Sequence, residues 1–220
     1  MTFLHQVNII TCGMVLLTQY SIVEITFIRM TLVTQVVNNG DPELMHMVLI
    51  TIIQRYGRDE LEKLYSTISL DEYTPWSVAV TPWSQTTDQR RKALVELLVN
   101  VGGVDIDRRH NDLTMMHQAC EYGFLDIVKF FVKKNIDVNV EADEGSDGIT
   151  PLICAAVNNH LDVAKYLLEA TSADIEKGDK QGFTALTYAC FKSHLKMVQL
   201  LIDHGADVFA TDNVRRSKIR

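Results

Sequence analysis

The sequence predicts an all-α chain: a solenoid of stacked helix–turn–helix pairs joined by short β-hairpin loops. Three observations predict it. A unit recurs, as Thr114-Met115-Met116-His117-Gln118-Ala119-Cys120, then Gly148-Ile149-Thr150-Pro151-Leu152-Ile153-Cys154-Ala155-Ala156, then Gly182-Phe183-Thr184-Ala185-Leu186-Thr187-Tyr188-Ala189-Cys190. Its threonines stand 36 and then 34 residues apart, a fixed period of the kind that marks repeat architectures. The later copies also share a downstream pair, Leu167-Leu168 and Leu200-Leu201, suited to a second helix. One such unit cannot cover its apolar faces alone, so neighbours must stack.

Residues 1–28 precede the repeats. Their apolar run from Val7 to Ile28 is broken by Asn8, Thr11, Thr18, Gln19, Ser21, Glu24 and Thr26. It has neither the basic front nor the small-residue cleavage site of a signal peptide. Glu24 weakens it as a membrane span. The plainer reading is a poorly defined leader or a helix on the first repeat, with a membrane segment as the alternative.

Residues 29–107 hold two degenerate copies with insertions. Thr31-Leu32-Val33-Thr34-Gln35-Val36-Val37 keeps the frame, and Pro42-Glu43 opens a second helix through Met47-Val48. A helix-like segment, Asp59 to Tyr65, places Leu61, Leu64 and Tyr65 at i, i+3 and i+4. The next copy opens at Thr74-Pro75. An insert around Thr81 to Thr87 separates it from a helix ending Leu94-Val95-Glu96-Leu97-Leu98, with Thr87 or Asp88 as its cap. The threonine spacings here, 43 and 40, need those insertions.

Residues 108–220 hold the three clear copies and the start of a further one at Ser217. Each threonine can cap a helix, and proline at the next position, as in Pro151, suits the first turn. The pairs Ala119-Cys120, Ala155-Ala156 and Ala189-Cys190 are small enough to let helices of successive units approach. Gly123, Asn159 and Ser193 fall where the first helix must end in a left-handed residue, which glycine tolerates best and serine least of the three. Leu195, Val198, Leu200 and Leu201 lie on the last helices with no successor in the sequence to cover them, so either a further segment caps this end or the chain is a fragment.

Composition narrows the function classes. A formal net charge of −7 and a single basic cluster, Arg215 to Arg220, argue against nucleic acid as the main partner. The four cysteines, Cys12, Cys120, Cys154 and Cys190, make no metal-ligand spacing and suggest no disulfides, which fits a reducing compartment; Cys120 and Cys190, each six residues after its repeat threonine, read as small buried hydrophobes. There is no phosphate loop, nucleophile elbow or zinc-protease pair. No catalytic residue, metal ligand, cofactor or small-molecule substrate is therefore expected.

The period and the core T-P-L-H-x-A, kept in part by Thr150-Pro151-Leu152 and by His117 with Ala119, identify the resemblance: the chain resembles an ankyrin-repeat protein. The resemblance implies a non-catalytic module, a scaffold, adaptor or targeting unit, that binds another protein inside the cell, in the cytoplasm or alternatively the nucleus. It also implies where. On the concave face of the first helices stand Gln118, Glu121 and Tyr122, then Cys154, Val157 and Asn158, then Tyr188, Phe191 and Lys192. On the hairpin tips stand Arg108, Arg109 and His110, then Asp147, then Lys177, Asp179 and Lys180. The acidic insertion Glu141 to Asp147 reads as a solvated loop or one suited to a basic peptide. His117, His160 and His194 would be hydrogen-bonders between adjacent units. Two alternatives stay open: the cytosolic portion of a membrane-anchored or channel-like protein, and the targeting region of a longer chain with a catalytic domain elsewhere.

Overall fold

The computed structural model describes residues 33–37, 39–59, 79 and 87–209. The segment 1–28, most of Asp59 to Tyr65, the copy at Thr74 apart from Ala79, the insert at 81–86 and the basic run 215–220 lie outside them. The chain forms two compact units, residues 1–79 with 83–104, and residues 80–82 with 105–220.

In the first unit residues 33–37 are helical, and helices α1 (Pro42–Tyr56) and α2 (Asp88–Asn100) pack on one another. Asp41 caps α1 by accepting the amides of Glu43 and Leu44 at 3.0 and 3.2 Å, and Pro42 fills the first turn. Leu44, Val48 and Ile52, with Met45 and Leu49, make the stripe that 3.6 residues per turn requires and are all buried. Thr87 caps α2 through the Arg90 amide, as its sequence predicts. Arg91 is buried on this helix and donates to the Ala79 carbonyl; burial lowers its pKa.

The second unit begins with a two-stranded hairpin, β1 (Arg109–His110) and β2 (Leu113–Thr114), with Arg109 opposite Thr114 and His110 opposite Leu113. Asn111 and Asp112 turn it with φ of 50° and 65°, the positive pair that a tight two-residue hairpin demands. Three helix pairs follow: α3 (Met115–Glu121) with α4 (Leu125–Lys133), α5 (Pro151–Val157) with α6 (Leu161–Ala170), and α7 (Ala185–Phe191) with α8 (Leu195–Asp203). The first helices stack as α3, α5, α7, and the second as α4, α6, α8.

The small-residue pairs explain the closeness of the inner row. Ala119, Cys120, Ala155, Ala156 and Ala189 are fully buried between first helices. Cys190 is the correction: it is exposed, and among the described residues no further first helix stacks on α7. Only the first connection forms a β-ladder among the described residues. The second carries a 3-10 turn (Glu144–Ser146) closed by the Ala142 amide on the Ile149 carbonyl, 2.9 Å, and the third is closed by the Asp179 amide on the Phe183 carbonyl, 3.0 Å.

The three left-handed positions are as the sequence predicts, with φ of +75° at Gly123, 60° at Asn159 and 59° at Ser193. Gly123 is constrained twice over. A Cβ there would lie 2.4 Å from Nδ1 of His160, so even a residue able to adopt that φ would displace the imidazole.

Candidate functional site

Histidines tie the first helices together. His160 Nε2 lies 2.8 Å from the Glu121 carbonyl and His194 Nε2 lies 3.0 Å from the Val157 carbonyl, so in each case the ring N–H donates to the end of the previous first helix. His117 does a related task one turn earlier. Its Nδ1 accepts the Thr114 amide at 3.2 Å and lies 2.8 Å from the Thr114 hydroxyl, while Nε2–H donates to the Ile149 carbonyl at 3.0 Å. Nδ1 as acceptor and Nε2 as donor define a neutral ring. Burial holds His117 at a pKa of about 4, which keeps it so at physiological pH. These rings are structural: His160 and His194 satisfy the helix-end carbonyls of Glu121 and Val157, and His117 adds a second donor to the Ile149 carbonyl that already accepts the Ala142 amide.

The rigid edge so built presents the predicted concave residues unequally. The residues seven and eight positions after each threonine stay open to solvent: Glu121 and Tyr122 half-buried, Val157 half-buried, and Asn158, Phe191 and Lys192 exposed. Phe191 is 82% exposed. The residues four positions after the threonine do not share this. Gln118 is only 7% exposed and Cys154 is buried, because α5 and α7 close over that level of the stack. Neither Gln118 nor Cys154 therefore presents a free surface side chain, which corrects the expectation for that position. Tyr188, the third of the set, is half-buried; its hydroxyl donates to Asp179 Oδ2 at 2.7 Å and its ring meets Phe183 edge-on. Burial and the Asp179 carboxylate push its phenol up to about 12.

The tips are knitted to one another. Arg109 Nη1 bonds the Glu141 carbonyl at 2.7 Å and pairs with Asp143 at 3.2 Å. Lys177 Nζ pairs with Glu141 at 2.9 Å, and that bond lowers the Glu141 carboxyl below its ordinary value. Asp147 Oδ1 accepts from Gln181 Nε2 at 3.2 Å, and the Lys180 amide donates to the Asp147 carbonyl at 2.9 Å. The acidic insertion is thus joined to both neighbouring tips. Arg108, just before the hairpin, and His110, on β1, are half-buried. Asp179 is the second correction. It is 6% exposed, and its carboxylate accepts the amides of Gln181 and Phe183, both at 2.9 Å, as well as the Tyr188 hydroxyl. It shapes the tip from within. The spacing Asp179 to Gly182 is an Asx-turn signal that sequence reading had available.

The last pair leaves an apolar face. Leu195 is 80% and Phe209 84% exposed, and a cavity of about 210 Å³ opens between Leu186, Cys190, Val198, Ile202 and Val208. Leu201, expected to share that exposure, is buried beneath its own pair. Among the described residues no helix is long and apolar enough to cross a membrane, and no cluster of side chains has the composition of a metal site.

A stack of capped helix pairs, tied by histidines and presenting one open edge, defines a helical repeat protein of the interaction class. The family described as ankyrin repeats matches residues 30–142 and 138–212, well over half of the sequence, and the chain belongs to it. Among similar proteins, the transient receptor potential cation channel subfamily A member 1 of Drosophila melanogaster is 33% identical over 128 residues, 56% of this chain and 10% of the channel. The NF-kappa-B inhibitor cactus of Drosophila melanogaster is 33% identical over 101 residues, 46% of this chain and 20% of the inhibitor. The ankyrin repeat protein nuc-2 of Neurospora crassa is 25% identical over 158 residues, 69% of this chain and 14% of that protein. The chain spans a fifth or less of the length of each of these three relatives.

Proposed function

We propose that the chain is a non-catalytic binding module that holds a partner protein along the open edge of its first helices. Ankyrin repeats are protein–protein interaction modules, and the particular edge is our reading. One observation carries it. Glu121-Tyr122, Val157-Asn158 and Phe191-Lys192 form a row of solvent-open side chains, one pair per repeat, above a backbone locked by His160 and His194. A preorganised row costs little ordering on binding, and Tyr122 and Phe191 supply the aromatic anchors that dominate such interfaces. The tips, already bonded to one another, support the edge more than they offer a surface of their own. Three free thiols, Cys120, Cys154 and Cys190, support a location inside the cell, where thiols stay reduced.

The test is affinity purification of the full chain from its native extract, beside a Tyr122→Ala/Phe191→Ala variant shown by circular dichroism to be folded. Loss of the bound protein from the variant is the expected result. The same protein retained at the same level would overturn the assignment of the edge. A second reading is favoured by the match to the Drosophila channel: that this is the ankyrin portion of a longer, channel-like chain. In that reading the edge docks another domain of its own assembly.

A further inference from the structure

We infer that the open face of α8, the last helix of the stack, is the interface of a dimer. It takes a second copy of this chain, α8 against α8 in antiparallel register about a twofold axis.

The repeat register defines this face. Leu125, Leu161 and Leu195 stand at the same place in their units, as do Val128, Ala164 and Val198, and Val132, Leu168 and Ile202. In the first two units the outer members of each trio are half-buried and the middle one is fully buried, beneath the next second helix. In the last unit Leu195 is 80% and Ile202 40% exposed, and Val198 is half-buried. Cys190 follows the same rule, since Cys120 and Ala156 at its place are fully buried. Among the described residues, α8 therefore carries uncovered a row that the molecule elsewhere covers with another helix. Val198 and Ile202 of that row also line the cavity of about 210 Å³.

The charges beside the row select its occupant. Lys196, Gln199 and Asp203 each follow a member of the row by one position, about 100° further round the helix. They form a second row parallel to the first, and all three are exposed. Gln199 Nε2 donates to Asp203 Oδ1 at 2.7 Å, which holds the carboxylate along the helix. Neither Lys196 nor Asp203 enters an ion pair among the described residues. The polar row thus runs positive, neutral, negative from the start of α8 to its end. A twofold axis beside Val198 and Gln199 turns that gradient against itself. Leu195 meets Ile202 of the second copy, Gln199 meets its own counterpart, and Lys196 comes opposite Asp203 of the second copy on the same flank. The unlike pairs each occur twice, as an isologous interface requires, and association closes at two copies. Antiparallel helices also set the positive end of each macrodipole against the negative end of the other. A parallel copy would place lysine against lysine, and a plain apolar segment would leave both charges unanswered.

Sedimentation equilibrium of the full chain in reducing buffer, from micromolar to submillimolar concentration, tests the interface. The expected result is a reversible monomer–dimer equilibrium with no larger species. Leu195→Asp changes an exposed side chain and, once shown by circular dichroism to be folded, should stay monomeric throughout. Lys196→Glu and Asp203→Lys should each weaken association about tenfold, because a substitution acts twice across a twofold axis. The double variant Lys196→Glu/Asp203→Lys should recover the parent's affinity, since its gradient is reversed but still complementary to itself. Alkylation of Cys190, read by peptide mass spectrometry, should slow as the parent dimerises and stay fast in Leu195→Asp. A parent that is monomeric at every concentration would overturn the dimer and leave the face to another occupant. A dimer unaffected by Leu195→Asp, or alkylation of Cys190 indifferent to concentration, would overturn this face as the interface. Single charge variants that bind like the parent, or a double variant without recovery, would overturn the antiparallel register. Growth beyond two copies would overturn the twofold closure.

Discussion

Gln118 makes the case at the scale of single residues. Its amide oxygen is buried without a partner among the described residues, so the native chain is less stable than it could be. Gln118→Met replaces the orphaned group with a thioether of similar length. It should raise stability by about 1 kcal/mol, from the desolvation penalty removed, and urea unfolding would measure it. A loss of that size instead would mean that the oxygen is satisfied in solution. His117 sets the other expectation. Its folded pKa of about 4 lies below the ordinary value of 6.5, so the unfolded chain binds the proton more readily. The stability that neutral His117 contributes is complete above pH ~6.5 and is lost as pH falls from there to about 4, on the order of 3 kcal/mol in all. Urea midpoints measured across that range should fall steeply for the parent and less steeply for His117→Gln. Equal slopes would show that the ring protonates without cost.

At the scale of elements, the ends of the helices decide the geometry. Thr150 and Thr184 accept the amides of Ile153 and Thr187 at 3.3 and 3.4 Å, and Thr114 shares its cap with His117. The three first helices then all end in a left-handed residue, which lets the chain reverse into the second helix within a few positions. Serine is the poorest of the three residues found there. Ser193 is exposed, with φ of 59°, so nothing but backbone strain resists a change. Ser193→Gly should stabilise by about 1 kcal/mol. That would raise Tm by roughly 2–4 °C in a thermal melt of a chain this size. An unchanged or lowered Tm would mean that the entropy glycine adds to the unfolded chain outweighs the strain relieved. Much at this scale was legible in the sequence: threonine, proline, small pair and glycine each announce a local conformation. The burial of Gln118 and Asp179 was not legible from position alone. Transferring a concave register assumes that every repeat opens equally, and here α5 closes over Gln118. Cys154, a small apolar residue at the matching place in the next copy, was the hint. Cys190 misled in the opposite sense, since a small residue is buried only if a further helix arrives to cover it.

For the stack from Asp105 onward as a whole, order comes from repetition. Each pair buries its apolar stripe on the next, and polar bonds cross every junction. At the far ends of the second helices, Asn139 gives its amide to the Ser172 carbonyl and accepts the Asp174 amide, at 2.9 and 2.8 Å. The Asp207 amide reaches Glu176 at 2.7 Å in the following junction. The ion pairs at the tips are exposed and contribute little stability each, but they fix the loops in register with the helices. The sequence showed the period and the fold class. It could not show which residues the stacked pairs would leave open, because openness belongs to the assembled neighbours and not to any one copy.

The claim that this open edge is where a partner sits has a direct measurement. Asn158 lies at the middle of the row, exposed, between the repeats that carry Tyr122 and Phe191. With p-benzoylphenylalanine in place of Asn158 in the full chain, ultraviolet irradiation in native extract should join it to one defined protein. The same group in place of Lys133, exposed on α4, should not capture that protein. Capture at 133 with none at 158 would contradict the account and move the binding surface to the second helices.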